Sequence, residues 1–117
     1  RIISLHSFRR LANHLFMSNV FKALSDPTRR RVLELLRERP MTAGELAAEF
    51  DVSKPTMSAH FSVLKDADLV DATKTGKTVT YRIKLSVLED ALLGFAKTFG
   101  LGDGSPTDIK DQNNGAD

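Results

Sequence analysis

The chain has no cysteine among its 117 residues and no long apolar run. Without cysteine it cannot form a disulfide, a thiolate metal site or a cysteine nucleophile. No stretch reaches the roughly 20 apolar residues that span a bilayer, and no apolar segment near the start leads to a small-residue cleavage site. We therefore expect no membrane partner and no signal peptide, and these absences favour a cytoplasmic location.

The sequence also lacks the residue patterns that catalysis requires. It shows no paired carboxylates on one helical face, no phosphate-binding glycine loop and no nucleophile–base constellation. Ser58 and His60 are two residues apart, so they face away from one another on a helix. The chain is therefore not expected to be an enzyme or to hold a cofactor.

The net charge of +2 is unevenly distributed along the chain. Residues 1–100 carry 16 Lys/Arg and 11 Asp/Glu, a net charge of +5, whereas residues 101–117 carry one Lys and four Asp, a net charge of −3. The last segment is rich in Gly, Asp, Asn, Ser and Pro, which predicts a disordered acidic tail. A basic body suits a nucleic-acid-binding protein, although a solvated surface without a partner shows the same balance.

Residues 42–70 have the pattern of two short helices joined by a tight turn. Thr42 and Glu45 have the capping-box spacing, in which each side chain bonds the backbone N–H of the other. Ser53 is a good N-cap for the second helix, and Pro55 falls in its first turn, where a missing N–H costs little. This stretch therefore predicts a helix-turn-helix.

The second helix of this pair has two contrasting faces. Met57, Phe61 and Leu64 are spaced to share one apolar face. The opposite face has no carboxylate before Asp66 and consists of Lys54, Thr56, Ser58, Ala59, Ser62 and Lys65. Such a face can approach a DNA groove, bond base edges and contact phosphates. The alternative is a helical hairpin whose outer face is simply solvated.

Apolar and polar residues alternate from Val70 to Lys74 and again from Thr78 to Leu85, which predicts two strands. Between them, Thr75-Gly76 predicts a short turn in which the glycine takes a positive φ. Lys74 and Lys77 then lie at the tip of a β-hairpin. A hairpin directly after a helix-turn-helix is the wing of a winged helix, although it can instead serve only to cover the core.

Helices are also predicted before this unit. Residues 1–16 form an N-terminal extension with helical apolar spacing. They either precede a natural start at Met17 or lengthen the first helix. Asp26 as N-cap and Pro27 at the first helical position predict a second helix that runs to about Arg39.

A last helix is predicted after the wing, which places the domain at residues 17–100. Ser86 has the capping-box spacing to Glu89, and Gly100 is the predicted stop. The helix carries an apolar stripe of Leu88, Leu92, Phe95 and Phe99. One small domain does not need this stripe and that of the first helix for its own core. We expect both stripes to pair across a two-fold axis, or alternatively to fold back on the same chain.

The segments ALSDPTRRRVLELL, MTAGELAAEF, VSKPTMSAHFSVLKDADLV and TGKTVTYRI, in this order, resemble the ArsR/SmtB family of bacterial repressors. The resemblance covers about residues 17–99, and within the family it is greatest to the cysteine-free, SdpR-like autorepressor group. It implies a mostly α fold with a small β-hairpin, a winged helix-turn-helix that dimerises through its first and last helices. It also implies that each protomer reads one half of an inverted repeat.

The family's metal sensors place a thiolate pair at the start of the third helix, where this chain has Thr42 and Gly44. Their other common site uses histidine and carboxylates on the last helix, where this chain has Glu89 and Asp90 but no histidine. No metal site is therefore expected at either location. Release by a sequestering protein, release by a small apolar ligand at the dimer interface, and no release signal at all stay open.

The predicted function is that of a sequence-specific transcriptional repressor that binds double-stranded DNA as a homodimer at the nucleoid. The alternative is a protein-interaction or dimerisation module that does not bind DNA. The residues predicted to read bases are Lys54, Thr56, Ser58 and Ala59. Those predicted to contact the DNA backbone or form the wing are Thr42, Ser53, His60, Lys65, Lys74, Gly76 and Lys77. Those predicted at the dimer interface are Leu11, Leu15, Val20, Leu88, Leu92, Phe95 and Phe99. For His60, packing at the edge of the core is the alternative.

Overall fold

The computed structural model describes residues 4–102, without the side chains of residues 10, 11, 13 and 14, and contains five helices and a three-stranded sheet. The helices are α1 (Leu5–Leu24), α2 (Pro27–Glu38), α3 (Ala43–Ala47), α4 (Lys54–Asp66) and α5 (Leu85–Thr98). The strands are β1 (Met41–Thr42), β2 (Val70–Thr75) and β3 (Thr78–Ile83). The predicted tail from residue 103 onwards and the side chain of Leu11 lie outside the described residues.

Three of the predicted helix starts are formed by the predicted caps. An Asp26 carboxylate oxygen accepts from the N–H of Arg29 at 3.1 Å at the start of α2. At α3 the capping box is complete, since the N–H of Glu45 donates to the Thr42 hydroxyl and the N–H of Thr42 donates to the Glu45 carboxylate. Ser53 caps α4 by accepting from the N–H of the third helical residue. These caps need only partners three residues away.

Residues 5–16 continue without a break into the rest of α1, as in the alternative that they lengthen the first helix. The carboxyl end of α1 is capped from α2. Arg29 donates to the carbonyls of Lys22 and Ala23, each at 2.9 Å, and Arg30 donates to the carbonyl of Leu24 at 2.7 Å. Because the last carbonyls of a helix have no partner within it, these guanidinium groups attach α2 to α1.

The predicted cap of the last helix is wrong. Helix α5 begins at Leu85, one residue before Ser86, and its N-cap Lys84 forms no side-chain cap bond. The N–H of Lys84 instead donates to the carbonyl of Leu69 at 2.8 Å. This bond extends the pairing of β2 with β3 by one residue. It sets the start of α5 without a local capping box.

The predicted stop of α5 is confirmed. Gly100 has a φ of +69°, a conformation that favours glycine. The N–H of Leu101 donates to the carbonyl of Ala96 at 2.7 Å and that of Gly100 to the carbonyl of Lys97 at 3.1 Å. This pair of bonds is a Schellman motif, which satisfies the last carbonyls of the helix.

The sheet has the strand order β1-β3-β2 and is antiparallel throughout. Thr75 pairs with Thr78, so Gly76 and Lys77 form a two-residue turn. Gly76 has the predicted positive φ, +62°, and the φ of Lys77 is not positive, which are the φ signs of a type II′ turn. The predicted hairpin is therefore confirmed. Strand β1, which the sequence pattern did not predict, pairs Met41 with Tyr81.

The core lies between the helices and one face of the sheet. The apolar face predicted for α4 is buried, and so are Val32, Leu33 and Leu36 of α2. Phe61 of α4 stacks on Tyr81 of β3 with ring centres 4.6 Å apart. Val20 is also fully buried there, so it has no surface to offer a second copy. This corrects its predicted place at the dimer interface. Within residues 4–102, no helix is long and apolar enough to cross a membrane.

Candidate nucleic-acid interface

Helix α4 is anchored by one face and leaves the other outside. Met57, Phe61 and Leu64 are buried. The four residues predicted to read bases are all exposed, and they are Lys54, Thr56, Ser58 and Ala59. With 13 residues, α4 is about 20 Å long at the α-helical rise of 1.5 Å per residue. Its exposed face therefore has the size and chemistry of a DNA-reading helix.

The amino end of α4 is organised by two hydroxyl groups. The Ser53 and Thr56 hydroxyls are 2.8 Å apart, and the N–H of Thr56 donates to Ser53 at 3.3 Å. Ser53 and Thr42 were both predicted to contact the DNA backbone, and the structure places them as the N-caps of α4 and α3. Both hydroxyls lie where the two helices begin, and contact with phosphate stays a prediction for them.

Four lysines predicted to contact DNA are exposed, namely Lys54, Lys65, Lys74 and Lys77. None of them forms an ion pair with any residue in the described part of the chain. Lys74 faces Val79 across the hairpin, and Lys77 lies in its turn. At Gly76 an added Cβ would meet nothing within 4 Å, so the positive φ and not crowding is the reason for a glycine there. The wing tip is thus a basic turn with its charges available to solvent.

His60 lies in a different place from the one predicted for a DNA-contacting residue. Its half-buried side chain has Nδ1 3.1 Å from an Nη atom of Arg29 and 3.9 Å from a carboxylate oxygen of Asp26. Since a guanidinium only donates, Nδ1 accepts, which assigns the ring proton to Nε2. The packing alternative for His60 is therefore the one that the structure supports, and Nδ1 is already engaged. We call Asp26, Arg29 and His60 the α2–α4 latch.

The carboxylate of the latch is held in its ionised form. Burial acts to raise the pKa of Asp26, but hydrogen bonds from the N–H groups of Arg29 and Thr28 and electrostatic interactions with the His60 and Arg29 side chains lower it, so that the pKa lies below its ordinary value. The ionised carboxylate both caps α2 and lies beside the imidazole of α4. The latch therefore ties the position of α4 to the start of α2.

A second surface of interest is apolar and lies on α1 and α5. Leu15, Leu92, Phe95 and Phe99 are all at least 36% exposed, and Leu88 is half-buried. The rings of Phe95 and Phe99 are 4.8 Å apart. Exposed apolar patches of this kind mark interaction surfaces. The structure therefore leaves Leu92, Phe95 and Phe99 of α5 on the outside, with Leu15 exposed on α1, whereas Leu88 packs partly against the core.

Some residues of these surfaces were not predicted from the sequence. Leu93 and Leu101 add to the apolar surface, being 61% and 57% exposed. The sequence does carry a signal for Leu93, because it is an apolar residue directly after Leu92 and outside the predicted stripe. No local spacing relates Arg29 to His60, because the two residues are 31 positions apart in the chain.

Comparison with known proteins identifies the family to which this architecture belongs. Residues 24–72 match the family model of a helix-turn-helix domain. The transcriptional repressor SdpR of Bacillus subtilis (strain 168) is 45% identical over 76 residues, which cover 65% of this chain and 84% of SdpR. The crystal structure of the ArsR family transcriptional regulator RHA00566 superposes with a TM-score of 0.69 at 31% identity, over 77% of this chain and 99% of that one. The chain belongs to the ArsR family.

Membership of the ArsR family confirms the predicted resemblance and the predicted winged helix-turn-helix fold. A further ArsR-like structure is the homodimeric winged helix-turn-helix DNA-binding domain of Mb0332 from Mycobacterium bovis. It is 27% identical, with a TM-score of 0.65 over 82% of this chain and 90% of that one. In this ArsR-family fold α3 and α4 form the helix-turn-helix, and β2 and β3 form the wing.

Proposed function

We propose that the protein is a sequence-specific transcriptional repressor that binds double-stranded DNA as a homodimer on an inverted-repeat operator. The observation that carries this proposal is the exposed face of α4, which is small, hydroxylic and cationic and has no carboxylate between Lys54 and Lys65. SdpR, which is named a transcriptional repressor, supports it. The proposed place of action is the nucleoid, in the cytoplasm, and the proposal includes no enzymatic activity.

Base reading and backbone binding are assigned to different residues. Lys54, Thr56, Ser58 and Ala59 would read base edges in the major groove, because hydroxyl, methyl and ammonium groups match the donors, acceptors and thymine methyls there. Lys65, Lys74 and Lys77, whose ammonium groups form no ion pair within residues 4–102, would bind phosphates. Gly76 would support this binding indirectly, by allowing the turn that brings the two wing lysines to the tip.

The homodimer would form through the apolar faces of α1 and α5. Leu15, Leu92, Phe95 and Phe99 are exposed in the protomer, and covering them with a second copy removes apolar surface from water. The Mb0332 domain, which is homodimeric, supports the homodimer itself. In a two-fold dimer the two α4 helices would enter successive major grooves, about 34 Å apart.

Selection of bound fragments from random DNA tests the proposal, since it returns operator sequence, symmetry and half-site spacing together. Lys77→Ala should weaken binding to operator and random DNA alike, and should lower the slope of log K against log salt by about 0.9 for each phosphate that the variant no longer binds. Lys54→Ala and Thr56→Ala should lower operator affinity only, by about 1–3 kcal/mol for each base that is no longer read.

The matched control is Lys97→Ala, which removes the same charge from α5, away from the helix-turn-helix and the wing. It should change neither affinity. A chain that ignores all DNA at low ionic strength, or that selects no symmetric site, overturns the proposal. Equal losses on operator and random DNA for Lys54→Ala and Lys77→Ala overturn the assigned roles. A protein-interaction module without DNA binding would give the first of these results.

A further inference from the structure

A groove outside the DNA-reading surface runs between α2 and the start of α5, with a volume of about 250 Å³. Its walls include the last residue of α1 and the end of β3. Five apolar side chains line it, and they are Leu24, Leu33, Ile83, Leu85 and Leu88. Leu33 is buried, whereas Leu85 remains 37% exposed. The groove is therefore an apolar floor that is open to solvent on one side.

The polar side chains in this groove are unevenly charged. Arg30 and Arg37 are seven residues apart on α2, so they lie on one side of the helix with Glu34 between them. The Glu34 carboxylate is already paired with Arg31 at 3.0 Å. Arg37 forms no ion pair with any residue between 4 and 102, and Arg30 uses one Nη atom for the Leu24 carbonyl. The groove therefore offers guanidinium donors beside apolar surface.

The start of α5 adds to the positive character of the groove. This 14-residue helix has no acidic residue in its first turn and no side-chain cap. Its N–H groups and the positive end of its dipole therefore favour a nearby negative charge. Leu85, the first residue of the helix, lines the groove. The same cleft thus combines two arginines, an uncapped helix start and an apolar floor.

We propose that this groove binds a small amphipathic carboxylate, with its hydrocarbon chain on the leucines and its carboxylate on Arg37 and Arg30. A planar guanidinium binds a carboxylate through two parallel bonds. A volume of about 250 Å³ lies just below the usual range for drug-sized ligands. It therefore suits a short hydrocarbon chain better than a polypeptide segment. The lining has no histidine or cysteine and only one carboxylate, which does not make a metal site.

Ligand binding in this groove would also affect the association of the two protomers. Leu88 lines the groove and also belongs to the apolar face of α5. A ligand that shifts Leu88 would change the affinity of the two protomers for one another. This coupling rests on the proposed function, because it requires the α1–α5 dimer, whereas binding in the groove does not.

The test is titration of octanoate into the full chain, followed by calorimetry and by the amide shifts of ¹⁵N-labelled protein. Saturable binding is expected, with shifts confined to Leu24 and to residues 30–37 and 83–88, which include the whole lining of the groove. Octan-1-ol, which has the same chain without the charge, should bind more weakly by about tenfold. Arg37→Gln should weaken octanoate binding by about three- to tenfold, as expected for the removal of one partly solvated guanidinium–carboxylate contact.

The matched control is Arg39→Gln, which removes the same charge just after α2 and outside the groove, and it should bind octanoate as the parent does. Leu85→Ser provides a second probe, because it removes apolar surface from the groove at an exposed position. It should also weaken octanoate binding. The site is overturned by the absence of saturable binding, by equal affinities of Arg37→Gln and Arg39→Gln, or by shifts that map elsewhere.

The coupling has a separate readout. Sedimentation equilibrium with and without octanoate should show a changed dimer dissociation constant, and an unchanged constant overturns the coupling while the binding titration still decides the site. Neither measurement contains DNA. Failure of the groove is therefore distinguishable from failure of the repressor proposal.

Discussion

The turn after α4 offers a prediction about a single backbone angle. Asp68 has a φ of +59° and is the one residue other than glycine with positive φ among residues 4–102. Its N–H donates to the carbonyl of Lys65 at 2.9 Å, and the N–H of Leu69 donates to that of Leu64 at 3.1 Å, which again form a Schellman motif. The Asp68 carboxylate accepts from Lys84 at 2.7 Å. This interaction raises the pKa of Lys84, mainly through the hydrogen bond.

Asp68→Gly and Asp68→Ala both remove the ion pair, so their difference reports the backbone alone. An L-residue in the left-handed region costs about 1–2 kcal/mol, whereas glycine there costs little. Against this, glycine makes the unfolded chain more flexible, which lowers the free energy of unfolding by about 0.4–1 kcal/mol. Asp68→Gly should therefore be more stable than Asp68→Ala by about 1 kcal/mol, or about 4–8 °C in Tm for a domain of this size.

The assay is urea unfolding followed by circular dichroism, at one protein concentration because dimerisation shifts apparent stability. The matched control is the same exchange at Asp66, the last residue of α4, where the backbone is helical. There the order should reverse, with glycine less stable than alanine by about 0.5–1 kcal/mol. An Asp68→Ala protein as stable as Asp68→Gly, or the same order at both positions, would refute the reasoning.

Four further measurements test the packing, the latch and the caps. A double-mutant cycle between Arg29→Met and His60→Ala should give a coupling energy of about 1–2 kcal/mol in unfolding; additivity would show that the contact does not bind α2 to α4. The pKa of Glu45 is lowered, mainly by the backbone N–H that it accepts. Its charged form therefore stabilises the fold above its ordinary value of 4.5, and this contribution is lost as pH falls through the folded-state pKa. Glu45→Gln, which keeps the capping box, should be less stable than the parent at neutral pH and should converge with it in acid, as pH-dependent unfolding would show. Leu64→Ala should cost about 2–5 kcal/mol, because Leu64 is fully buried. Leu92→Ala should leave the protomer's unfolding nearly unchanged and weaken the dimer in analytical ultracentrifugation; an unchanged dimer would remove Leu92 from the proposed interface.

The residues that the sequence placed correctly are those whose reasons are local. The caps at Asp26, Thr42 and Ser53 each bond an N–H three residues ahead. The buried face of α4 follows from helical spacing, and the positive φ of Gly76 follows from a two-residue turn. Each of these depends on a few neighbouring residues, so the sequence contains the whole reason.

The errors and omissions have the opposite origin. Ser86 has the right spacing for a cap, yet a bond from Lys84 to Leu69 sets the helix start one residue earlier. Val20 has the spacing of an interface residue but is covered by the protomer's own core. Strand β1 is two residues long, too short for any alternation, and exists because Met41 pairs with β3. In each case a distant partner decided the outcome.

The sequence by itself determined the winged helix-turn-helix order, the caps of α2, α3 and α4, and the cationic face of α4, because hydrogen bonds and periodicity within a few residues specify them. Only the tertiary structure decided that His60 meets Arg29, 31 residues away along the chain, and is thereby engaged in packing. It also decided that α1, α2, β3 and α5 leave a groove lined by leucines and arginines. Contacts between distant residues arise when elements pack, and no local spacing encodes which side chains will then meet.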